Sequence, residues 1–404
     1  MKVLFTFGGL PHYYNRILNR LNSIEDLEVI VVNPEKKSAT IGEGVHQTKT
    51  DIQFKIIHLM EYKTYFGKLF FKNFKSVLEK EEPKIIVTIW PYVLGFFFNP
   101  ILYMHIKRKN IKIIFKDIPF QLPKYENTIN FYKNHELFTE EKGYTKEAQN
   151  FKSLIKYKLL SYVRKFYFNF VDAHVDYTEN AFEILKSYGV SKEKIFIIYN
   201  SPDSDFLLSV FDEIKSNDLI LPENNFRIIH VGRLVKWKRV DLLIDAFKDI
   251  KNNFKDAQLV VIGTGPEEVN LQKQAEDLNL IDSIKFVGAV YDPKILGRYL
   301  HASAVYVLAG MGGLSINEAM CFEKPIVCSV CDGTEKKLVR DGFNGKYFRL
   351  NDKSDLAEKI NYLLSNQDLI RQMGKNSGKI IREEINVNTV INGYIRAFKY
   401  CQNL

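Results

Sequence analysis

The sequence predicts an α/β protein built from two doubly wound parallel sheets. Short apolar runs alternate with amphipathic stretches of helical period along most of the chain. The alternation breaks in a looser stretch at 200–225 and then restarts. The chain has 404 residues, 46% of them hydrophobic, which is enough to fill two cores of ordinary size.

The elements follow in order. Residues 2–7, KVLFTF, read as a first strand, followed by a Gly8-Gly9 turn, an amphipathic helix to about Leu21 and a strand at 29–32. Further strands are expected at 54–58, 85–89, 111–115, 173–177 and 195–199, with helical patterns between most of them. In the second half strands are expected at 227–231, 258–262, 284–287, 304–308 and 326–328. Helices are expected between them at 239–254, 267–278, 294–301 and 316–322. From about Asp355 onward the pattern is helical with no further strand. Strands that are apolar at consecutive positions, separated by helices, belong to parallel sheets covered on both faces. The domain plan is 1–200, 201–380 and a C-terminal helix at 381–404 that packs back on the first domain.

Composition narrows the function classes. The formal net charge of +9 favours anionic partners such as nucleotide phosphates or an acidic membrane surface. The excess is spread along the chain and no nucleic-acid-binding module is present, so nucleic acid is not expected as a partner. The first 33 residues read as strand, turn, helix and strand, not as a signal peptide. The apolar stretch 85–104 contains Trp90-Pro91, Gly95 and Asn99-Pro100 and reads as a buried strand and a short helix, not a membrane span. Cys328 and Cys331 form a lone CxxC without a second pair or nearby histidines, which favours structural thiols over zinc. His135-Glu136 is not HExxH, because Thr139 stands where the second histidine belongs. No metal site is expected, and the location expected is cytoplasmic.

Several turns at strand ends could carry chemistry. Arg233 follows a strand and a glycine, and Lys238 lies five residues on, near a helix start; two cations so placed suit a diphosphate, although a solvated basic turn would look the same. Gly263-Thr264-Gly265-Pro266 is a second turn of this kind. The stretch 310–325, GMGGLSINEAMCFEKP, places a glycine turn with Gly312 and Gly313 between a strand and a helix bearing Glu318. Ser315 and Glu318 also fit the S-x-x-E capping box, so capping of its own helix and hydrogen bonds from a ligand diol compete for the Glu318 oxygens, although one carboxylate can serve both. At the N-terminus, Gly8-Gly9 would let backbone approach a ligand, and His12 beside them is a candidate acceptor or catalytic residue. Two basic-aromatic segments, 62–75 and 152–170, have near-helical spacing and could lie at a membrane surface or pack on their own domain.

Taken together, HVGRLVKWKRVDLLIDAF, LVVIGTGPE, IKFVGAV, LAGMGGLSINEAMCFEKPIV and DGTEKKLVRDGFNGKYF resemble, in order and spacing, the donor-binding domain of retaining GT-B glycosyltransferases of family 4. The resemblance covers about residues 172–366, and the first 170 residues match in architecture only. It implies the GT-B arrangement, two Rossmann-like domains facing each other across a cleft, with C-terminal helices. It implies that Arg233 and Lys238 contact the donor diphosphate as the catalytic pair. Glu318 would hold the ribose, and Gly312, Gly313, Leu314 and Ser315 would offer backbone and helix-terminus groups to sugar and phosphates. Gly263, Gly265 and Val287 would line the base pocket, and Gly8 and Gly9 would approach the diphosphate from the other domain.

A histidine common in the N-terminal half of the family has no clear counterpart here, where Lys116-Asp117 sits at a comparable strand end, and the chain departs from the family pattern at two positions of the donor-binding domain. The first of the family's two glutamates, seven residues before Glu318, is here Gly310, and the glycine after the lysine is Arg239. The activity implied is transfer, with retention, from a nucleotide-diphosphate sugar to a glycan or lipid-linked glycan in surface polysaccharide synthesis, without metal or cofactor. Peripheral contact with the inner face of the cell membrane is a further expectation. The alternatives are an epimerase or hydrolase acting on nucleotide sugars, or a non-catalytic nucleotide-binding scaffold.

Overall fold

The structure is a computed structural model. It describes residues 1–36, 38, 46–47, 50–65, 67–117, 122–134, 136–139, 143–146, 151–214, 220–330 and 333–404. Cys331 and His135 lie outside the described residues. The chain divides into two compact units, one of Met1–Tyr199 with Asn388–Leu404, the other of Asn200–Val387.

The first unit is a seven-stranded parallel sheet of β1 (Lys2–Thr6), β2 (Glu28–Pro34), β3 (Lys55–Leu59), β4 (Ile85–Ile89), β5 (Lys112–Asp117), β6 (Ala173–Asp176) and β7 (Ile195–Ile197). Its order is β7-β6-β5-β4-β1-β2-β3. The strands are runs such as Val3-Leu4-Phe5 and Ile85-Ile86-Val87 that are almost wholly buried, as expected where helices cover both faces. The apolar stretch at 85–104 becomes β4 and the short helices Val93–Phe97 and Pro100–Arg108. Asn99 caps the second, accepting from Leu102 N at 3.0 Å, with Pro100 in the first turn where its missing N–H costs nothing.

The basic-aromatic stretch at 62–75 is not a helix. It forms an antiparallel hairpin, Glu61–Lys63 with Leu69–Phe71, and leads into the helix Phe74–Glu81. Phe70, Phe71 and Phe74 are each 2% exposed and belong to the core, so burial of aromatic surface, not a membrane, accounts for them. The C-terminal helix Val387–Gln402 lies almost entirely in this unit. Tyr394 meets the Phe5 ring edge-on at 5.8 Å, Tyr400 meets Phe196, and Arg396 donates to Ile197 O at 3.2 Å.

The second unit is a six-stranded parallel sheet of β8 (Arg227–Val231), β9 (Gln258–Ile262), β10 (Ile284–Gly288), β11 (Val305–Leu308), β12 (Ile326–Cys328) and β13 (Gly345–Tyr347). The order is β10-β9-β8-β11-β12-β13. The sequence pattern did not reveal β13, whose three residues carry no apolar run. Helices Val240–Asn253, Glu268–Asp277, Pro293–His301, Ser315–Cys321, Lys353–Leu364 and Gln367–Glu383 surround the sheet. Asp292, Asp352 and Asn366 cap three of them through side-chain oxygens. Both sheets reverse direction of growth beside their first strand, between β1 and β4 and between β8 and β11. That reversal opens the place where doubly wound sheets bind ligands at strand carboxyl ends.

Candidate functional site

In the second unit the loops after β8, β9 and β10 are laced together. Gly232 N donates to Ile262 O at 2.9 Å, Leu234 N to Thr264 O at 2.9 Å, and Gly263 N to Gly288 O at 2.8 Å. A Cβ at Gly263 would lie 1.8 Å from Gly232 O and one at Gly265 would lie 2.3 Å from Leu234 O. These two glycines are therefore required by the close approach of neighbouring loops. Gly263 also has φ +140°, which favours glycine. Val287, expected beside them, is partly exposed on β10 at the sheet edge.

The switch point between β8 and β11 gathers Arg233, Lys238, the 310–315 turn and Glu318 from segments up to 85 residues apart. The basic turn folds as a short 3₁₀ segment, Lys236–Lys238, against the glycine turn after β11. Met311 N donates to Trp237 O at 2.8 Å. The Lys238 ammonium, on a residue only 8% exposed, donates to Met311 O at 2.9 Å and Gly312 O at 2.7 Å. Gly313 comes close to the same ammonium, since a Cβ there would lie 3.2 Å from Nζ. The Arg233 guanidinium sits 5.3 Å from the centre of the Trp237 ring.

Both departures from the family pattern find physical readings here. A Cβ at Gly310 would lie 2.0 Å from Trp237 O and 2.6 Å from the Lys238 carbonyl carbon, so no carboxylate side chain fits at 310 while the two turns remain clasped. Arg239 has φ +51°, a left-handed conformation that suits glycine and that a side chain occupies at a cost of about 1 kcal/mol. Its guanidinium is engaged by Asp241 at 3.1 Å and by Asn351, so Arg239 does not deliver a loose positive charge to the turn.

Glu318 is released from the capping role. The helix Ser315–Cys321 has Leu314 at its N-cap, with no side-chain cap hydrogen bond, so Ser315 already lies inside the first turn. Ser315 Oγ instead meets the Tyr306 hydroxyl at 2.7 Å. Among the described residues no donor reaches the Glu318 carboxylate, and burial pushes its pKa up to about 7. Such a carboxylate is available to a ligand and destabilising without one.

Two neighbours were not singled out by the sequence pattern. His230 is fully buried beneath Gly232, with Nδ1 3.0 Å from Val307 O and Nε2 without a hydrogen-bond partner among the described residues. Burial, aided by the Lys238 charge, lowers its pKa to about 4, so it is a neutral floor to the site. Tyr306, also fully buried, connects β11 to the Ser315 helix and lies 3.3 Å from Val231 O. Their signal in the sequence was weak: each is one polar group inside an otherwise apolar strand.

In the first unit, Gly8 and Gly9 follow β1, and His12 opens the helix His12–Asn22. His12 Nδ1 lies 3.3 Å from His46 O, and burial lowers its pKa. At the ends of β5 and β6 the Lys116 ammonium meets the Tyr177 hydroxyl and lies 4.4 Å from that ring's centre and 5.4 Å from that of Tyr14. Against burial, which works to lower it, the phenols raise the lysine pKa. Asp176, opposite Asp117 in the strand register, is fully buried, with neither oxygen hydrogen-bonded among the described residues; burial, then the Asp117 charge, raises its pKa. Lys116 and Asp117 occupy the strand end noted from the sequence, whereas Asp176 and Tyr177 were not expected from it.

Residues 211–380 match the family model for glycosyl transferases group 1. An uncharacterized glycosyltransferase of Methanocaldococcus jannaschii is 28% identical over 279 residues, 67% of this chain and 70% of its own length. A poly(ribitol-phosphate) alpha-N-acetylglucosaminyltransferase of Staphylococcus aureus is 23% identical over 222 residues, 54% of this chain and 45% of its own. The match spans 52% of a Haemophilus influenzae glycosyltransferase and 59% of a Thermococcus litoralis trehalose synthase. Among solved structures, sucrose-phosphate synthase from Thermosynechococcus elongatus has a TM-score of 0.68 at 15% identity, covering 100% of this chain and 99% of that one. Anabaena HepE, in complex with UDP, has a TM-score of 0.67 at 17% identity, covering 99% and 100%. At such identities the likeness concerns the fold. The second unit thus carries the match to the group 1 glycosyl transferase model, in a chain whose two Rossmann-like halves share the fold of solved GT-B glycosyltransferases.

Proposed function

We propose that the protein is a retaining glycosyltransferase that moves a sugar from a nucleotide-diphosphate sugar, with uridine as the base, to a glycan or lipid-linked glycan of a surface polysaccharide. The carrying observation is Glu318, a withdrawn carboxylate that no donor among the described residues satisfies, set at the switch point with Arg233 and Lys238. A ribose diol would supply the missing donors. The UDP held by Anabaena HepE supports the choice of base, and the poly(ribitol-phosphate) in the name of the Staphylococcus aureus relative supports a polymeric acceptor.

In this reading the bond from the anomeric carbon to the diphosphate oxygen breaks as the acceptor hydroxyl oxygen bonds the same face of that carbon. The acceptor proton passes to the departing phosphate oxygen. Negative charge grows on the diphosphate, so fixed cations aimed there stabilise the transition state most. Arg233, spread over Trp237, supplies one cation and Lys238 the other. Lys238 rests on two carbonyls of the glycine turn and turns toward phosphate when donor enters. Leu314 and Ser315 offer N–H groups at the head of their helix. Gly8 and Gly9 keep their assignment as positions where backbone approaches a ligand.

Calorimetry with UDP, GDP and ADP tests the reading. UDP binds wild type, and Arg233→Ala weakens it about tenfold or more, as loss of a charge-assisted contact would. Absence of binding by all three nucleotides, or an Arg233→Ala protein with unchanged affinity and turnover, would falsify the diphosphate assignment.

A further inference from the structure

The helix Phe151–Phe170 has two faces of different kinds. Tyr157, Ser161, Arg164, Tyr167 and Phe168 are buried, and Arg164 donates to the Tyr132 hydroxyl at 3.0 Å, so the inner face is packed against the unit's own core. Ile155, Leu159, Tyr162 and Phe166 are 52%, 63%, 45% and 64% exposed. Their spacing of four, three and four residues places them in one narrow stripe along the outside. The same period puts Lys152 and Lys156 along one side of that stripe and Lys158 and Lys165 along the other. The helix holds no Asp or Glu. The neighbouring helix Pro100–Arg108, whose Tyr103 ring meets Phe170 at 4.7 Å, exposes Ile101 and Met104 close to Lys107 and Arg108.

We propose that this outer stripe is a docking face for an anionic lipid bilayer. The apolar side chains enter the interface and the flanking ammonium groups meet the lipid phosphates. Charge chooses the occupant: a lysine rail on each side of an apolar line, with no acid, complements a negatively charged lipid surface and repels a second copy of itself. The helix lies on the membrane, since no helix among the described residues is long and apolar enough to cross one. This surface stands independently of the transferase reading. It gives the segment 152–170 the membrane role that the hairpin at 61–71 does not carry.

The experiment is vesicle co-sedimentation with the full chain, using phosphatidylglycerol–phosphatidylcholine vesicles and pure phosphatidylcholine vesicles. Wild type partitions at least about tenfold better onto the anionic vesicles, and less so as salt rises. The triple variant Ile155→Ser, Leu159→Ser, Phe166→Ser loses about tenfold or more while keeping its circular dichroism melt. The variant Lys152→Gln, Lys156→Gln, Lys158→Gln, Lys165→Gln leaves the core untouched and abolishes the preference for anionic lipid. Equal binding by wild type and either variant overturns the proposal, as does a lack of binding to anionic vesicles. Sedimentation velocity without lipid gives a monomer; a dimer abolished by the triple variant would assign the stripe to a second copy instead.

Discussion

Replacing Glu318 by glutamine separates what this carboxylate costs the fold from what it does for a ligand. Its pKa rises from 4.5 to about 7 by burial alone. Holding the ionised form in that place costs up to about 3 kcal/mol, and its partial solvent access trims this to about 2 kcal/mol. The native state binds the extra proton between pH 4.5 and about 7, so stability is greatest below that window and falls as pH rises through it. Glu318→Gln removes this dependence. It matches wild type near pH 4.5 and melts higher at pH 8, by roughly 4–8 °C for a unit of this size. Donor binding moves the opposite way. Only the ionised carboxylate accepts from both hydroxyls of a ribose, so wild-type affinity for a UDP-sugar weakens about tenfold per pH unit below 7. The variant binds about tenfold or more weakly at pH 8 and shows no such pH trend. Calorimetry and melting curves from pH 5 to 8 provide both readouts. A variant with wild-type affinity at pH 8 and a parallel melting profile would refute the reasoning.

Two further predictions follow from the clasp between the basic turn and the glycine turn. Lys238→Ala removes two charge-assisted hydrogen bonds to Met311 O and Gly312 O, so thermal melting shows a loss of about 2–3 kcal/mol; nucleotide affinity drops with it, whereas a purely structural lysine would leave the affinity of the remaining folded protein intact. Restoring a carboxylate by Gly310→Glu drives a Cβ to 2.0 Å from Trp237 O and opens the clasp, which denaturant unfolding registers as a loss of about 2 kcal/mol or more, with no gain in transfer activity. A Gly310→Glu protein as stable as wild type would show that the turns yield freely.

Much of the fold was legible in the sequence because buried parallel strands announce themselves locally. β4, β8, β9 and β12 fall at the residues where the apolar runs lie, and the helices between them match to within a residue or two. What was not legible lacks a local signal. Tyr62 to Lys75 has helix-like spacing of aromatics, yet a turn at Gly67 folds it into a hairpin whose phenylalanines fill the core. β13 exists only because β12 offers it an edge, Ile326 pairing with Gly345.

The site divides along the same line. Residue types at strand ends and the spacing of glycines, cations and one carboxylate make Arg233, Lys238 and Glu318 candidates from the sequence itself. Sequence could not say whether Glu318 caps its helix, because a one-residue shift of the helix start decides it; in the fold Tyr306 meets Ser315 and leaves the carboxylate open. Nor could it say why position 310 carries glycine. The answer is the Trp237 carbonyl, 73 residues earlier in the chain, occupying the space that a side chain would need. Chemistry that depends on residue type and local period was determined by the sequence alone. Contacts between segments brought together only by the sheet's reversal were decided by tertiary structure, because hydrogen bonding and close packing act through distances that the order of residues does not encode.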